Sequence, residues 1–133
     1  MKAQRSIFLC LFIQINMKKV LVVDDDQDIL DAIQMILQIS GYESRATLRA
    51  DEMDAKLQEF SPDVIILDML LSGYDGREIC KKLKAASTTK NIPIIMTSAH
   101  PSAKESVKKC GADSFIPKPF SVDGLLTEIQ QYT

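Results

Sequence analysis

The chain is poor in the residues on which several kinds of functional site depend. It has no tryptophan, one histidine and three cysteines among its 133 residues. Cys10, Cys80 and Cys110 lie far apart, and the lone His100 has no cysteine beside it, so the sequence does not indicate a structural zinc site. An odd number of widely spaced cysteines favours free thiols in a reducing compartment, and we therefore expect a cytoplasmic protein.

A block of basic residues is also missing. The 16 lysines and arginines are spread along the chain, and the net charge is -2. This distribution argues against electrostatic binding of DNA or RNA by the domain itself. A composition of 46% hydrophobic and 26% charged residues is typical of one soluble globular domain that can fold alone.

Long hydrophobic runs are absent as well. The longest, Ile7 to Ile13, follows Lys2 and Arg5 like the start of a secretory signal, but no small-x-small cleavage motif comes after it. It is far shorter than the roughly 20 apolar residues that span a bilayer, and we expect no membrane association. We interpret residues 1–16 as an N-terminal extension that is disordered, packed on a neighbour or upstream of a true start at Met17. The domain is predicted over residues 17–133.

Beyond Met17, short apolar runs alternate with amphipathic segments. The runs KKVLVV, DVIIL, IPIIM and SFIP are rich in Val and Ile and too short for helices, whereas YESRA is polar enough for an edge strand. Parallel neighbours need helical crossovers, so the alternation predicts an α/β fold. We expect a doubly wound five-stranded parallel sheet with helices on both faces, the flavodoxin-like strand order 2-1-3-4-5, and no room for an output domain. Ligands of such a sheet bind outside the carboxyl ends of its strands.

Polar residues stand at four of these strand ends. Asp24 and Asp25 follow strand 1, Asp68 ends strand 3, Thr97 ends strand 4 and Lys118 follows strand 5. Three nearby carboxylates cannot all stay ionised without a cation, and oxygen ligands suit Mg²⁺, with Mn²⁺ as a substitute. A carboxylate can also be a nucleophile toward a phosphoryl group whose oxygens are held by an ammonium and a hydroxyl. The nearby Asp26 and Asp28 are explained as helix capping and dipole partners.

Four motifs, VLVVDDDQDIL, VIILDMLLSGYDG, IIMTSA and FIPKPF, together resemble the receiver domain of bacterial two-component response regulators. The resemblance covers Lys18 to about Tyr132. It implies these roles: Asp68 as phosphoacceptor, Asp24 and Asp25 as the acidic metal pair, the backbone carbonyl of Leu70 as a third protein ligand, Thr97 as switch hydroxyl, Phe115 as switch aromatic, Lys118 as phosphate partner, and Lys118-Pro119 as a cis peptide.

The resemblance implies a single-domain response regulator that is mainly a signalling switch, with its own phosphotransfer and slow autodephosphorylation. The phosphoryl donor would be a sensor histidine kinase or a histidine phosphotransfer protein. The target would be a protein bound through helix 4, strand 5 and helix 5, and phosphorylation could also drive dimerisation. Two alternatives stay open. One is a haloacid-dehalogenase-type phosphatase with Asp24 to Asp26 as its DxD motif, although Asp28 departs from that motif, and the other is a degenerate receiver that only binds.

Two departures from the receiver pattern bear on these roles. Leu71-Ser72 stands where many relatives continue Met-Pro, and we expect this change to loosen the loop without touching a functional group. Phe115 stands where tyrosine is also common, and it can be read either as the switch aromatic or as an ordinary core aromatic. His100 is expected to face solvent and to have no phosphotransfer role of its own.

Overall fold

The computed structural model describes residues 17–100 and 102–133, and within them the main sheet has five parallel strands. The strands are β1 (Lys19–Val23), β2 (Glu43–Thr47), β3 (Val64–Asp68), β4 (Ile94–Ser98) and β5 (Ser114–Pro117). Their spatial order is β2-β1-β3-β4-β5, which is the predicted flavodoxin-like order. A short antiparallel hairpin of Leu70–Leu71 and Tyr74–Asp75 follows β3.

Five α-helices cover both faces of the sheet in the described residues, and the first four of them make the crossovers between strands. They are α1 (Gln27–Ile39), α2 (Met53–Phe60, after a 3₁₀ turn at Ala50–Glu52), α3 (Gly76–Ala85), α4 (Ala103–Lys109) and α5 (Val122–Gln130). Helices α2, α3 and α4 pack on one face, and α1 and α5 pack on the other. The predicted fold is confirmed.

The sheet is held by burial of its branched side chains on both faces. In β3, Ile65 points to one hydrophobic cluster and Ile66 to the other, and neither is more than 1% exposed. Each such side chain contributes roughly 1.5–3 kcal/mol of hydrophobic stabilisation. By contrast β2 is polar and only partly buried, as expected of an edge strand.

Individual residues next to the helices determine where α1 begins and where α2 ends. Asp26 caps α1, accepting hydrogen bonds from the backbone N–H groups of Asp28 and Ile29. Helix α2 ends at Phe60 and is followed by Ser61, which adopts a left-handed conformation with φ of 50° before Pro62. Capping by Asp26 was predicted, and Asp28 lies in the first turn of α1, where a negative charge favours the helix dipole.

Some sequence predictions fall on residues 1–16, which lie outside the described part of the chain, and these include the N-terminal extension and Cys10. Cys80 and Cys110 are free and buried. Among the described residues, none of the helices has the length and apolar character needed to cross a membrane.

Candidate functional site

The acidic side chains predicted to meet at the carboxyl edge of the sheet do so. Asp24 directly follows β1, and Asp68 ends β3 next to it. One carboxylate oxygen from each of Asp24, Asp25 and Asp68 can be chosen so that all three lie within 4.8 Å of one another. Asp24 is 2% exposed and Asp68 is 7% exposed, whereas Asp25 faces solvent. The cluster therefore has two buried carboxylates and one open side.

Lys118 provides the positive charge that partly compensates this cluster. Its Nζ lies 2.7 Å from Asp24 Oδ2 and 3.1 Å from Asp68 Oδ1. The Lys118 backbone N–H donates to the Ser98 carbonyl at 2.8 Å, which fixes the lysine beside the end of β4. The Lys118-Pro119 peptide bond is cis, as the family resemblance implied.

The surroundings of Asp68 disfavour the charged form of its carboxylate. Burial, followed by repulsion from the charge of Asp24, raises the pKa of Asp68 to about 6, although Lys118 acts in the opposite direction. Burial would lower the pKa of Lys118, but its hydrogen bond to Asp24 and the charges of both carboxylates outweigh that effect and raise it. The cluster combines three carboxylates with one ammonium, so it has a net negative charge when all these groups are ionised.

The donor set fits a hard divalent cation. All side-chain donors are carboxylate oxygens, and the exposed side at Asp25 leaves room for water ligands, as Mg²⁺ prefers. Mn²⁺ accepts the same ligands. Leu70 borders the cleft that contains Asp68. Its backbone carbonyl as a further metal ligand remains a prediction.

Thr97 lies directly opposite Asp68 in the register of β3 and β4. It is buried, and its Oγ1 is 3.5 Å from Asp68 Oδ1, at the outer limit of a hydrogen bond. The Thr97 carbonyl accepts a hydrogen bond of 2.9 Å from the N–H of Met69, so the backbones of the two strand ends are locked together. The side chain is thus placed to turn toward a group bound on Asp68.

Phe115 is half-buried on β5 and packs against the cluster formed with α2, α3 and α4. It pairs with Met96 in the strand register, one position before Thr97. This placement is compatible with both the switch and the core interpretation, and Phe115 as the switch aromatic stays a prediction.

An open cleft of about 380 Å³ leads from solvent to Asp68. Its lining includes Leu70, His100 and Lys118, together with the small residues Ser98 and Ala99. His100 is exposed, as expected, and its Nδ1 lies 2.8 Å from the Ser102 hydroxyl. Small side chains at the end of β4 leave open space next to the Asp68 carboxylate.

Gly76 is a site residue whose structural role the sequence analysis did not identify. A Cβ added to it would lie 2.2 Å from the Asp68 carbonyl oxygen and 3.0 Å from that of Met69. Its N–H donates to the Met69 carbonyl at 2.7 Å. Helix α3 therefore begins in direct contact with the backbone of Asp68, and any side chain at position 76 would push the two backbone segments apart. The preceding Asp75 caps α3 and pairs with Arg77, outside the acidic cluster.

The expectation that Ser72 touches no functional group is wrong. Its hydroxyl donates a hydrogen bond of 3.1 Å to Asp25 Oδ2. The hairpin after β3 turns at Ser72 and Gly73, with φ of 77° at the glycine, and this turn brings the hydroxyl over the loop that follows β1. The loop after Asp68 is therefore tied to the acidic cluster through Ser72.

A second, apolar groove of about 490 Å³ adjoins the cleft. It lies between the start of α1 and the segment after β5, and its lining includes Ile29, Ala32, Pro119 and Phe120. Both depressions share Lys118 and Ala99. An apolar surface is thus continuous with the acidic cleft.

A family model for the response regulator receiver domain matches residues 20–130. The chain belongs to that family. The receiver domain is 36% identical over 114 residues to the phosphate regulon transcriptional regulatory protein PhoB of Rhizobium meliloti, covering 84% of this chain and 50% of that protein. It is 29% identical to the DNA-binding dual master transcriptional regulator RpaA of Synechocystis, with 86% and 48% of the two chains covered. The chain spans about half the length of these curated relatives.

Solved structures agree with this assignment. The chemotaxis protein CheY4 of Vibrio cholerae superposes with a TM-score of 0.81 at 34% identity, covering 88% of this chain and 99% of that one. The receiver domain is therefore a two-component signalling module with a chemotaxis-regulator-like fold. This assignment favours the receiver interpretation over the haloacid-dehalogenase-type phosphatase.

Proposed function

We propose that this receiver domain is a phosphorylation switch whose acceptor is Asp68. The observation on which the proposal rests is the convergence of Asp24, Asp25, Asp68 and Lys118 at the end of an accessible cleft. Receiver domains are phosphorylated by histidine kinases, and a histidine phosphotransfer protein presents the same phosphohistidine. Within this family, an intact acidic cluster with its lysine supports phosphotransfer over a purely binding role.

In the proposed transfer, an Asp68 carboxylate oxygen attacks the phosphorus of the donor phosphohistidine. A P–O bond to Asp68 forms while the P–N bond breaks, and the imidazole leaves with the bonding electron pair. Lys118 and the Thr97 hydroxyl, which lie 3.1 Å and 3.5 Å from Asp68 Oδ1, would each hold one of the phosphoryl oxygens. Mg²⁺, when bound by Asp24, Asp25 and Asp68, would supply charge neutralisation for the phosphoryl oxygens.

The donor is proposed to dock on the apolar groove beside the cleft. Its lining by Ile29, Ala32 and Phe120 suits the apolar surface of another protein, and Lys118 is common to the groove and the acceptor cleft. A donor seated there would present its phosphohistidine next to Asp68. The encounter is proposed to take place in the cytoplasm.

The output is proposed to be a change of the face formed by α4, β5 and α5. Phosphorylation adds about -1.5 to -2 of charge at neutral pH, to which Thr97 can respond by turning inward. Because Thr97 pairs with Ile116 of β5 in the register, a shift of β4 would also move β5 next to Phe115. A protein target or a second copy of the domain would bind the altered face. We propose that the receiver domain itself does not contact nucleic acid.

Phosphorylation by a small-molecule donor tests the acceptor. Purified protein incubated with acetyl phosphate and Mg²⁺ is expected to gain one phosphoryl group, and Asp68→Asn is expected to abolish the gain. Asp75→Asn is the matched control, since it neutralises a carboxylate of the same loop outside the cluster and asparagine still caps α3. Labelling of Asp68→Asn at the wild-type level would refute the assignment.

A further inference from the structure

Asp25 is the least constrained carboxylate of the acidic cluster. Asp24 accepts hydrogen bonds from Lys118 and from the backbone N–H of Asp26, and Asp68 is contacted by Lys118 and Thr97. The side chain of Asp25 is exposed, and within residues 17–100 and 102–133 its hydrogen-bond partner is Ser72.

We infer that Ser72 is a positioning residue for cation binding, because its hydroxyl holds the Asp25 carboxylate in the orientation that completes the acidic cluster. This inference rests on the proposed metal site. The hydroxyl donates to Oδ2, which leaves Oδ1 of Asp25 free to face the cation. Restricting an exposed side chain before binding removes part of the conformational entropy that binding would otherwise cost.

The contact also connects two loops that are 47 residues apart in the sequence. Asp25 lies in the middle of the segment between β1 and α1, while Ser72 lies at the tip of the hairpin between β3 and α3. Asp25 lies in the first segment and Asp68 directly precedes the second, so a bond between the segments restricts the separation of these two carboxylates. Mutation of a residue that hydrogen-bonds a metal ligand typically changes metal affinity 10- to 100-fold. Because the contact between Ser72 and Asp25 is exposed, we expect a change in affinity at or below the lower end of that range.

The turn at Ser72 and Gly73 is compatible with substitutions that remove the Ser72 hydroxyl and keep the backbone conformation. Gly73 has φ of 77°, and Ser61 is the only described non-glycine residue with a positive φ, so Ser72 and Gly73 have the φ pattern of a type II turn. Proline is common at the first central position of such a turn. No described backbone acceptor takes the Ser72 N–H, so proline there loses no hydrogen bond.

The test measures Mg²⁺ affinity of the full chain by following amide NMR shifts, without any phosphoryl donor. Ser72→Ala and Ser72→Pro are both expected to weaken Mg²⁺ binding ~3- to 10-fold. Ser72→Thr, which keeps a hydroxyl, is expected to bind within twofold of wild type. Asp25→Ala, which removes the acceptor of the Ser72 hydroxyl, should weaken binding more strongly, and adding Ser72→Ala to it should cause no further loss.

Three outcomes would overturn the inference. One is wild-type affinity in both Ser72→Ala and Ser72→Pro, and a second is an equal loss when Ser72→Ala is added to Asp25→Ala, which would show that the hydroxyl acts elsewhere. The third is unchanged Mg²⁺ affinity in Asp68→Asn and Asp25→Asn, which would refute the metal site itself. If those two variants lose Mg²⁺ binding and the serine variants do not, only the role of Ser72 is wrong.

Discussion

Lys118 Nζ lies 2.7 Å from Asp24 Oδ2, closer than the 3.1 Å that separates it from Asp68 Oδ1. The lysine therefore holds together two buried carboxylates that come from different strands. This ion pair gives Lys118 a structural role before any phosphoryl group arrives, and its removal has consequences that can be separated from phosphotransfer.

We predict that Lys118→Ala lowers the free energy of unfolding in metal-free buffer. Asp24 and Asp68 would lose the only cation that pairs with them among the described residues. Removing one partner of a buried ion pair costs ~3–5 kcal/mol. We expect the lower end of this range, because the Lys118 side chain is 15% exposed. Mg²⁺ should restore much of this loss. Urea unfolding with and without Mg²⁺ measures both effects.

Lys84→Ala is the control for this measurement, because Lys84 pairs with Asp113 away from the acidic cluster. It should destabilise the protein without increasing the stabilisation that Mg²⁺ confers. If Mg²⁺ stabilises wild type, Lys118→Ala and Lys84→Ala by the same amount, Lys118 does not compensate the acidic cluster.

The raised pKa of Asp68 predicts a pH dependence of stability in the absence of metal. The pKa is about 6 in the folded protein and 3.8 ordinarily, so the favourable contribution of the protonated group is complete below about 3.8 and is lost as pH rises through about 6. Asp68→Asn cannot ionise and keeps that contribution. At pH 7 the variant should exceed wild type by on the order of 1–3 kcal/mol in unfolding free energy, and the gap should close toward pH 4. A gap that does not change between pH 4 and pH 7 would contradict the raised pKa.

Thr97→Ala is predicted to separate phosphorylation from signal transmission. The variant should still accept a phosphoryl group on Asp68, because the acidic cluster and Lys118 are intact. It should lose most of the NMR shift changes around residues 97 to 118 that the phosphate mimic beryllofluoride induces in wild type. Thr97→Ser keeps the hydroxyl and should retain them. Full wild-type changes in Thr97→Ala would show that this hydroxyl does not couple the site to β5.

Donor docking on the apolar groove predicts a variant that discriminates between phosphoryl donors. Ala32→Glu places a charge in the groove and should slow transfer from a cognate kinase at least ~10-fold, since desolvating a charge against apolar surface is costly. Labelling by acetyl phosphate should be unchanged. Gln38→Glu adds the same charge to the exposed last turn of α1 and should affect neither reaction. Equal kinase rates in the two variants would place the donor elsewhere.

The sheet and the acidic cluster could be predicted because both follow from periodic or positional rules. Val64 to Leu67 form an apolar run too short for a helix, and a parallel sheet brings the strand ends at Asp24, Asp68 and Lys118 to one edge. Helix α4 was less clear from the sequence, because Val107 and Cys110 were the only signs of its buried face, although the helix already begins at Ala103.

The contacts made by Ser72 and Gly76 depend on three-dimensional proximity that no local pattern encodes. The Ser72 hydroxyl reaches Asp25 because the hairpin turns at Gly73, and Gly76 must lack a Cβ because α3 begins against the Asp68 carbonyl. A glycine directly after a helix cap was the one signal available for the second contact.

The proposal that Asp68 is the phosphoacceptor is tested most directly by mapping the phosphoryl group in wild-type protein. After reaction with acetyl phosphate and Mg²⁺, reduction with borohydride converts a phosphorylated aspartate into homoserine, which peptide mass spectrometry can locate. We expect the modification to lie at Asp68 and to disappear when Mg²⁺ is chelated before the reaction. Modification at Asp24 or Asp25 in place of Asp68 would contradict it.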